Sequence, residues 1–355
     1  MYKTIACAAV FALLFVPRPA AADDTLTIMQ GSLALPLYSV ADVVAERAGF
    51  FKAEHLVVTQ QLANSPSTAA ALVASGKGDL CSVSAQAILQ GYEKGLRLEY
   101  FLAHAARYSN VMAVLDDSPV RTLADFKGKN IGISAIGGDG EVTGRFILSG
   151  AGLRPGDYSY SPIGFGPQAA AAIVSKQVDG VVYPFGEIVP IEVTAHVKMR
   201  VFRDPIVNDI ANSGFATTPA TLATKGDAMR RYARAIVKAS IFVRYNPQVS
   251  ALFFLQAQGV KVTPEAIADK AREFVLLRDD LLAADPSDRR IGYMEPRGLE
   301  VLSRVLNSYG LTKSVTPGSA IVTNEFVGFA NDFDRAAVIA MAKHYRVTPS
   351  GDAVP

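Results

Sequence analysis

The stretch GISAIGGDGEVTGRF, Gly132 to Phe146, reads as the end of a strand, a glycine-rich turn and the start of a helix. Within it Gly138, Gly140 and Gly144 form a loose G-x-G-x-x-x-G. Such a turn can aim backbone N–H groups and the positive end of a helix at a bound group. Three readings follow: a dinucleotide cradle, a seat for a small solute, or a tight turn. Asp139 and Glu141 stand in the same first turn and compete for those N–H groups. A second group is Tyr183, Phe185 and Glu187, at the end of the apolar run DGVVYP. Aromatic faces there would bury a ring or alkyl chain, and a carboxylate would fix a donor. Glu187 reads equally well as a helix-start acid favoured by the macrodipole.

Other chemistries find little support. The chain of 355 residues carries 35 Lys+Arg against 33 Asp+Glu, so no basic stripe points to nucleic acid. Its only cysteines are Cys7 and Cys81, which rules out a thiolate zinc site. Cys81, in DLCSVS, reads as a buried structural thiol. His104 and His196 stand alone near strand segments and read as structural residues, and no metal or cofactor is expected. There is no G-x-S-x-G elbow and no nucleophile–base set.

The N-terminus has the layout of a secretory signal peptide: Lys3, an apolar run from Ile5 to Val16, then Ala20-Ala21-Ala22 before Asp23-Asp24. The run falls short of the ~20 residues that span a bilayer. Residues 1–22 are therefore expected to be cleaved, leaving a soluble exported chain with its mature start near Asp23.

The elements that must position these residues alternate. TLTIMQ, LVVTQQL, DLCSVS, LEYFLAH, NVMAVL, NIGIS, YSYSPIG and DGVVYP read as strands, mostly with helical patterns between them. Ser39 is a plausible N-cap for the helix in SVADVVAERAG, which Gly49 stops, and Ser65-Pro66 open another. Alternation of this kind predicts mainly parallel sheets with helices on both faces. From about Lys225 the pattern is almost wholly helical, including a helix through NEFVGFANDFDRAAVIAMAK. AALVASGKGDLCSV and AAIVSKQVDGVVY echo each other about a hundred residues apart. Each is followed by polar or aromatic residues at a strand's carboxyl end, where open α/β sheets bind ligands.

LPLYSVADVVAERAGFFKAEHLVV, ALVASGKGDLCSVS, VRTLADFKGKNIGIS and AAIVSKQVDGVVYP, in that order, resemble the periplasmic solute-binding proteins of ABC importers. The group meant is the one that handles nitrate, taurine, alkanesulfonates and thiamine-precursor pyrimidines. The resemblance spans Thr25 to Pro190; beyond Lys225 it is one of helical character only. It implies a two-lobed type II periplasmic-binding-protein-like α/β fold, with a solute in the cleft and delivery to an inner-membrane ABC permease by a monomeric, non-enzymatic protein. The chain has no tryptophan, so an aromatic clamp must use Tyr and Phe. Enzymes of the same fold that make the thiamine pyrimidine carry a cysteine-rich motif, which this chain lacks.

On that basis residues 23–107 with 215–355 form lobe one, and 108–214 form lobe two. The chain would cross between them at HAARYSNVM and DIANSGFATT. The cleft would draw Gln30, Ser32, Tyr38, Asn64, Ser65, Ser84 and Gln86 from lobe one, and Arg107, Tyr108 and Asn110 from the hinge. Lobe two would add Ser134, Gly137, Gly138, Asp139, Tyr183, Phe185 and Glu187. Ser65 also reads as a helix cap, and Tyr108 as a packing residue. Arg107 suits a carboxylate or sulfonate and Glu187 an amine or aminopyrimidine. The expected solute is small and organic. Two rivals remain: a nucleotide-dependent oxidoreductase built on the glycine turn, and a non-transport sensor of the same fold.

Overall fold

The computed structural model describes residues 23–105, 110–203, 210–281, 291–348 and 352–355. Residues 1–22, expected to be cleaved, and Arg107 and Tyr108 lie outside the described residues.

Strands β1 (Asp24–Gln30), β2 (Leu56–Leu62), β3 (Leu80–Ser84) and β4 (Glu99–Ala105) form the first sheet, with helices α1 (Val40–Arg47), α2 (Phe50–Ala53), α3 (Pro66–Ala74) and α4 (Ala85–Glu93) between them. The chain then builds a second sheet from β5 (Asn110–Leu115), β6 (Asn130–Ile133), β7 (Ser159–Pro162), β8 (Gly180–Pro184) and β9 (Met199–Phe202). Helices α5 (Asp139–Gly150), α6 (Pro167–Val174) and α7 (Phe185–Ala195) connect them. Finally β10 (Ser213–Thr217) returns to the first sheet.

The orders are β2-β1-β3-β10-β4 and β7-β6-β8-β5-β9, five strands each. In both sheets the first three strands run parallel, and the fourth is antiparallel to its neighbours. That fourth strand is the first one laid down after the chain changes sheet.

The echoed motifs occupy equivalent places, running from α3 into β3 and from α6 into β8. Their aspartates explain the repeat. Asp79 accepts the Thr27 N–H at 2.8 Å, while its own N–H donates to the Thr27 carbonyl at 2.8 Å. Asp179 does the same to Asn130, at 2.9 and 2.8 Å. A lysine faces each carboxylate: Lys225 at 2.7 Å from Asp79 and Lys129 at 3.2 Å from Asp179. One side chain thus locks the third strand onto the central one, through charge-assisted bonds that are stronger than neutral ones.

The last third is helical: α8 (Pro219–Tyr245), α9 (Pro247–Ala257), α10 (Pro264–Leu281), α11 (Pro296–Ser308), α12 (Val327–Ala330) and α13 (Arg335–His344). The single helix expected over NEFVGFANDFDRAAVIAMAK is broken at Asn331–Asp334, where Asp334 caps α13 by accepting the Ala337 N–H at 3.1 Å. Helix α8 packs on α1, and Phe51, Phe101, Phe215 and Tyr232 form the aromatic centre of lobe one. Helix α10 also reaches α7 of lobe two. Among the described residues no helix is long and apolar enough to cross a membrane.

Candidate functional site

The carboxyl end of β3 faces the turn that opens α5. On the lobe-one side Gln30, Ser82 and His104 are buried, and Tyr38 stacks on the His104 ring at 5.2 Å between centroids, 9° from parallel. Ser82 Oγ lies 2.9 Å from His104 Nε2, and His104 Nδ1 has no partner.

A β-bulge aims this histidine. Ser213 pairs with Ala105 and the next residue, Gly214, with Ala103, so His104 is the extra residue of β4. Burial lowers the His104 pKa to about 3 and keeps the imidazole neutral. So weak a base, beside a Ser82 with no exposed surface, does not make a hydrolytic pair.

Beneath it lies Asp42, on the inner face of α1 and fully buried. Its Oδ1 accepts the Tyr232 hydroxyl at 2.5 Å, whereas its Oδ2 has no partner. Burial raises its pKa to about 7, and the Tyr232 hydroxyl, with the Gln30 amide beside it, offsets this only in part. Gln30 donates from Nε2 to Gln60 at 3.0 Å, and its Oε1 is unpaired.

Gln86 repeats the pattern in the first turn of α4. Its Nε2 donates to the Gly137 carbonyl across the cleft at 2.9 Å, and its Oε1, in a side chain 3 % exposed, is unpaired. Gln30 Oε1, Asp42 Oδ2 and Gln86 Oε1 are three buried acceptors without donors, an arrangement proteins seldom leave unfilled.

The lobe-two side is the glycine turn, and it is not an open cradle. Glu141 Oε2 takes the Gly137 N–H at 2.7 Å, while Oε1 is held by Arg145. Asp139 Oδ1 faces Ser84 Oγ at 3.5 Å, and burial raises its pKa to about 6. Gly137 is needed for its positive φ of 74°. Gly140 and Gly144 serve packing instead. A Cβ at Gly140 would come 2.8 Å from the Val182 carbonyl, and one at Gly144 would come 2.5 Å from the Tyr160 hydroxyl. The expectation that these glycines bring N–H groups to a solute therefore gives way to close helix–sheet contact. Asn110 donates to Thr143 Oγ1 at 3.0 Å, and that hydroxyl donates to the Asp139 carbonyl at 2.6 Å.

Of the expected residues, Ser84, Gln86, Asn110, Gly137, Gly138 and Asp139 come together and Ser134 lies beside Gly138; Tyr38 is within electrostatic reach of Asp139 and Asp42, and Gln30 lies beside Asp42. Asn64 is exposed, Ser65 caps α3 through the Thr68 N–H at 3.1 Å, and Ser32 accepts the Ala34 N–H at 3.4 Å. Tyr183 and Glu187 stay within electrostatic reach of each other, burial first and then the Glu187 charge raising the Tyr183 pKa, while Phe185 turns to a different partner. Tyr183 is buried in the lobe-two core, with its hydroxyl on the Gly164 carbonyl at 2.5 Å. Phe185 carries the Arg203 guanidinium on its face at 4.0 Å. Glu187 is half-buried toward α10; burial first, then Glu273, raises its pKa, against Lys270.

Sequence reasoning did not single out Ser82 or Asp42, and read His104 as a structural residue, which its burial and its Ser82 contact fit. An acid on the apolar face of SVADVVAERAG was the one available signal.

Loops at strand ends also carry bare apolar side chains: Leu33 is 73 % exposed, Ile136 64 % and Phe165 50 %. A buried acceptor set with such a rim suits a small molecule that offers donors and an apolar body.

A riboflavin-binding protein, RibY, of Chloroflexus aurantiacus is 23% identical to this chain over 294 residues, covering 80% of this chain and 81% of that protein. The alkanesulfonate-binding protein SsuA of Xanthomonas axonopodis pv. citri, solved bound to MOPS, superposes with a TM-score of 0.64 at 16% identity. That match covers 86% of this chain and 100% of that one. The periplasmic aliphatic sulphonate binding protein SsuA of Escherichia coli gives a TM-score of 0.66 at 15% identity over 84% of this chain and 92% of that one. These structures establish the periplasmic-binding-protein fold that the family resemblance implied. The NMT1/THI5 like family model matches residues 37–250, more than half of the sequence, and the chain belongs to that family.

Proposed function

We propose that this protein is a solute receptor. It captures a small organic molecule between its two lobes and hands it to an ABC permease, working in the periplasm after loss of residues 1–22. The observation that carries the reading is the set of unpaired acceptors on Gln30, Asp42 and Gln86, beside the stacked Tyr38–His104 pair. Leaving a buried acceptor unpaired costs about 1–3 kcal/mol, and a solute with N–H or O–H donors removes that cost on binding. Gln86 spans the cleft to Gly137, so closure and recognition share a residue. The relatives named for riboflavin and sulfonate binding support capture of a small molecule over chemistry on it. The dinucleotide reading is disfavoured, because Glu141 and Asp139 occupy the turn that a pyrophosphate would need.

The test is thermal unfolding of protein stripped of bound molecules, with and without the solute recovered from native protein, and with NAD as the rival. A clear rise in Tm with the recovered solute and none with NAD is expected. A rise with NAD alone would defeat the reading.

A further inference from the structure

We propose that Asp139 decides which solutes the cleft accepts. Its carboxylate occupies the place between the first turns of α4 and α5 where the anionic head of a solute would sit. The cleft therefore takes molecules that present hydrogen-bond donors and turns away sulfonates and carboxylates. The proposal rests on the receptor reading above and names the chemistry of its solute.

Helix N-termini attract anions through their free N–H groups and dipoles. Here two helices of nine and twelve residues begin on opposite sides of one gap, α4 behind its cap Ser84 and α5 behind Gly138, which has no side chain to cap with. An anion would be welcome in such a gap. Asp139, the first residue of α5, already supplies one, facing the Ser84 hydroxyl that caps α4.

A second observation agrees. Gln86, in the first turn of α4, is buried, and its amide has spent its donor on Gly137 and left its oxygen unpaired. An incoming anion would meet a carboxylate and an amide oxygen, whereas an incoming N–H would satisfy both. Among the described residues, Arg145, on the same helix as Asp139, is engaged with Glu141.

The experiment compares the wild-type chain with D139S and with the near-isosteric D139N, by calorimetric titration of pentanesulfonate as the anionic probe and cytosine as the neutral donor probe. Circular dichroism checks folding, and D139N carries the comparison where D139S does not fold. Affinity for pentanesulfonate should rise at least tenfold in the folded variants, while affinity for cytosine falls. Unchanged or weaker pentanesulfonate binding would overturn the role of Asp139. Native mass spectrometry separates this from failure of the receptor reading. An anionic molecule retained by the wild-type protein overturns the role of Asp139 and leaves the receptor standing. Finding no retained molecule, and no response to either probe or to riboflavin, overturns both.

Discussion

The two lobes share one strand plan and divide the work unevenly. Asp79 and Asp179 fasten equivalent strands in the same way, with a lysine on each. The loops that follow the equivalent strands differ. Lobe one carries buried acceptors at the end of β1, on α1 and in the first turn of α4, and leaves an oxygen of Gln30, Asp42 and Gln86 unpaired. Lobe two offers a turn in which Glu141 takes the Gly137 N–H and Asp139 faces the Ser84 hydroxyl of lobe one. The shared part is scaffold, where repetition keeps a working joint. The divergent part is where a ligand would be told apart from others, and it lies on loops carried by rigid sheets.

The largest expected effect tests which lobe keeps its aromatics for packing. Tyr183→Ala should cost about 3–5 kcal/mol, as loss of a large buried ring generally does. The damage should stay in lobe two, so that amides of β6 and β8 exchange faster while those of β1 and β3 keep their protection. Loss of solute affinity with full stability would instead return Tyr183 to the cleft.

Next is the buried acid of lobe one. The folded-state pKa of Asp42, about 7, lies above its unfolded value of about 3.9. The folded chain therefore binds the extra proton, and the stability it contributes is present below about pH 4 and lost as pH rises through 7. Urea unfolding at pH 4.5 and pH 8 should show wild type losing on the order of 2–4 kcal/mol that Asp42→Asn does not lose. Parallel profiles for the two proteins would refute this.

The joint itself can be tested for symmetry. Asp79→Ala and Asp179→Ala should each cost about 1–3 kcal/mol by stranding a backbone N–H. The cost should be greater at Asp79, whose side chain is 20% exposed against 39% for Asp179. Equal stabilities for both variants and wild type would show the resemblance of the two joints to be ornamental.

Much of the scaffold was legible because it is written in local patterns. Strand–helix alternation and the Ser65-Pro66 helix start each follow from backbone chemistry within one segment. The helix stop at Gly49, which adopts a φ of 79°, is of the same kind. Ser39 was half right: it sits at the N-cap of α1, but its hydroxyl donates to the Pro36 carbonyl at 2.7 Å and caps nothing.

The site was less legible because its residues meet through pairings far apart in sequence. His104 is left out of the β4–β10 register because β10, arriving some 110 residues later, pairs with β4 through a bulge there. Gly140 and Gly144 looked like ligand glycines because close approach to a carbonyl and close approach to a phosphate demand the same missing side chain. Tyr183 looked like a clamp because a strand end says nothing about which way its last ring turns.

The account turns on whether the unpaired oxygen of Gln86 is a solute contact. Titration of the recovered solute into wild type and Gln86→Leu measures this directly, with unfolding curves to show that both are folded. Affinity should fall about tenfold or more in the variant, about 1.4 kcal/mol, the scale of one hydrogen bond made in a dry cleft. Equal affinity in two equally stable proteins would contradict the account, because the lobes would then close on the solute without the residue that joins them.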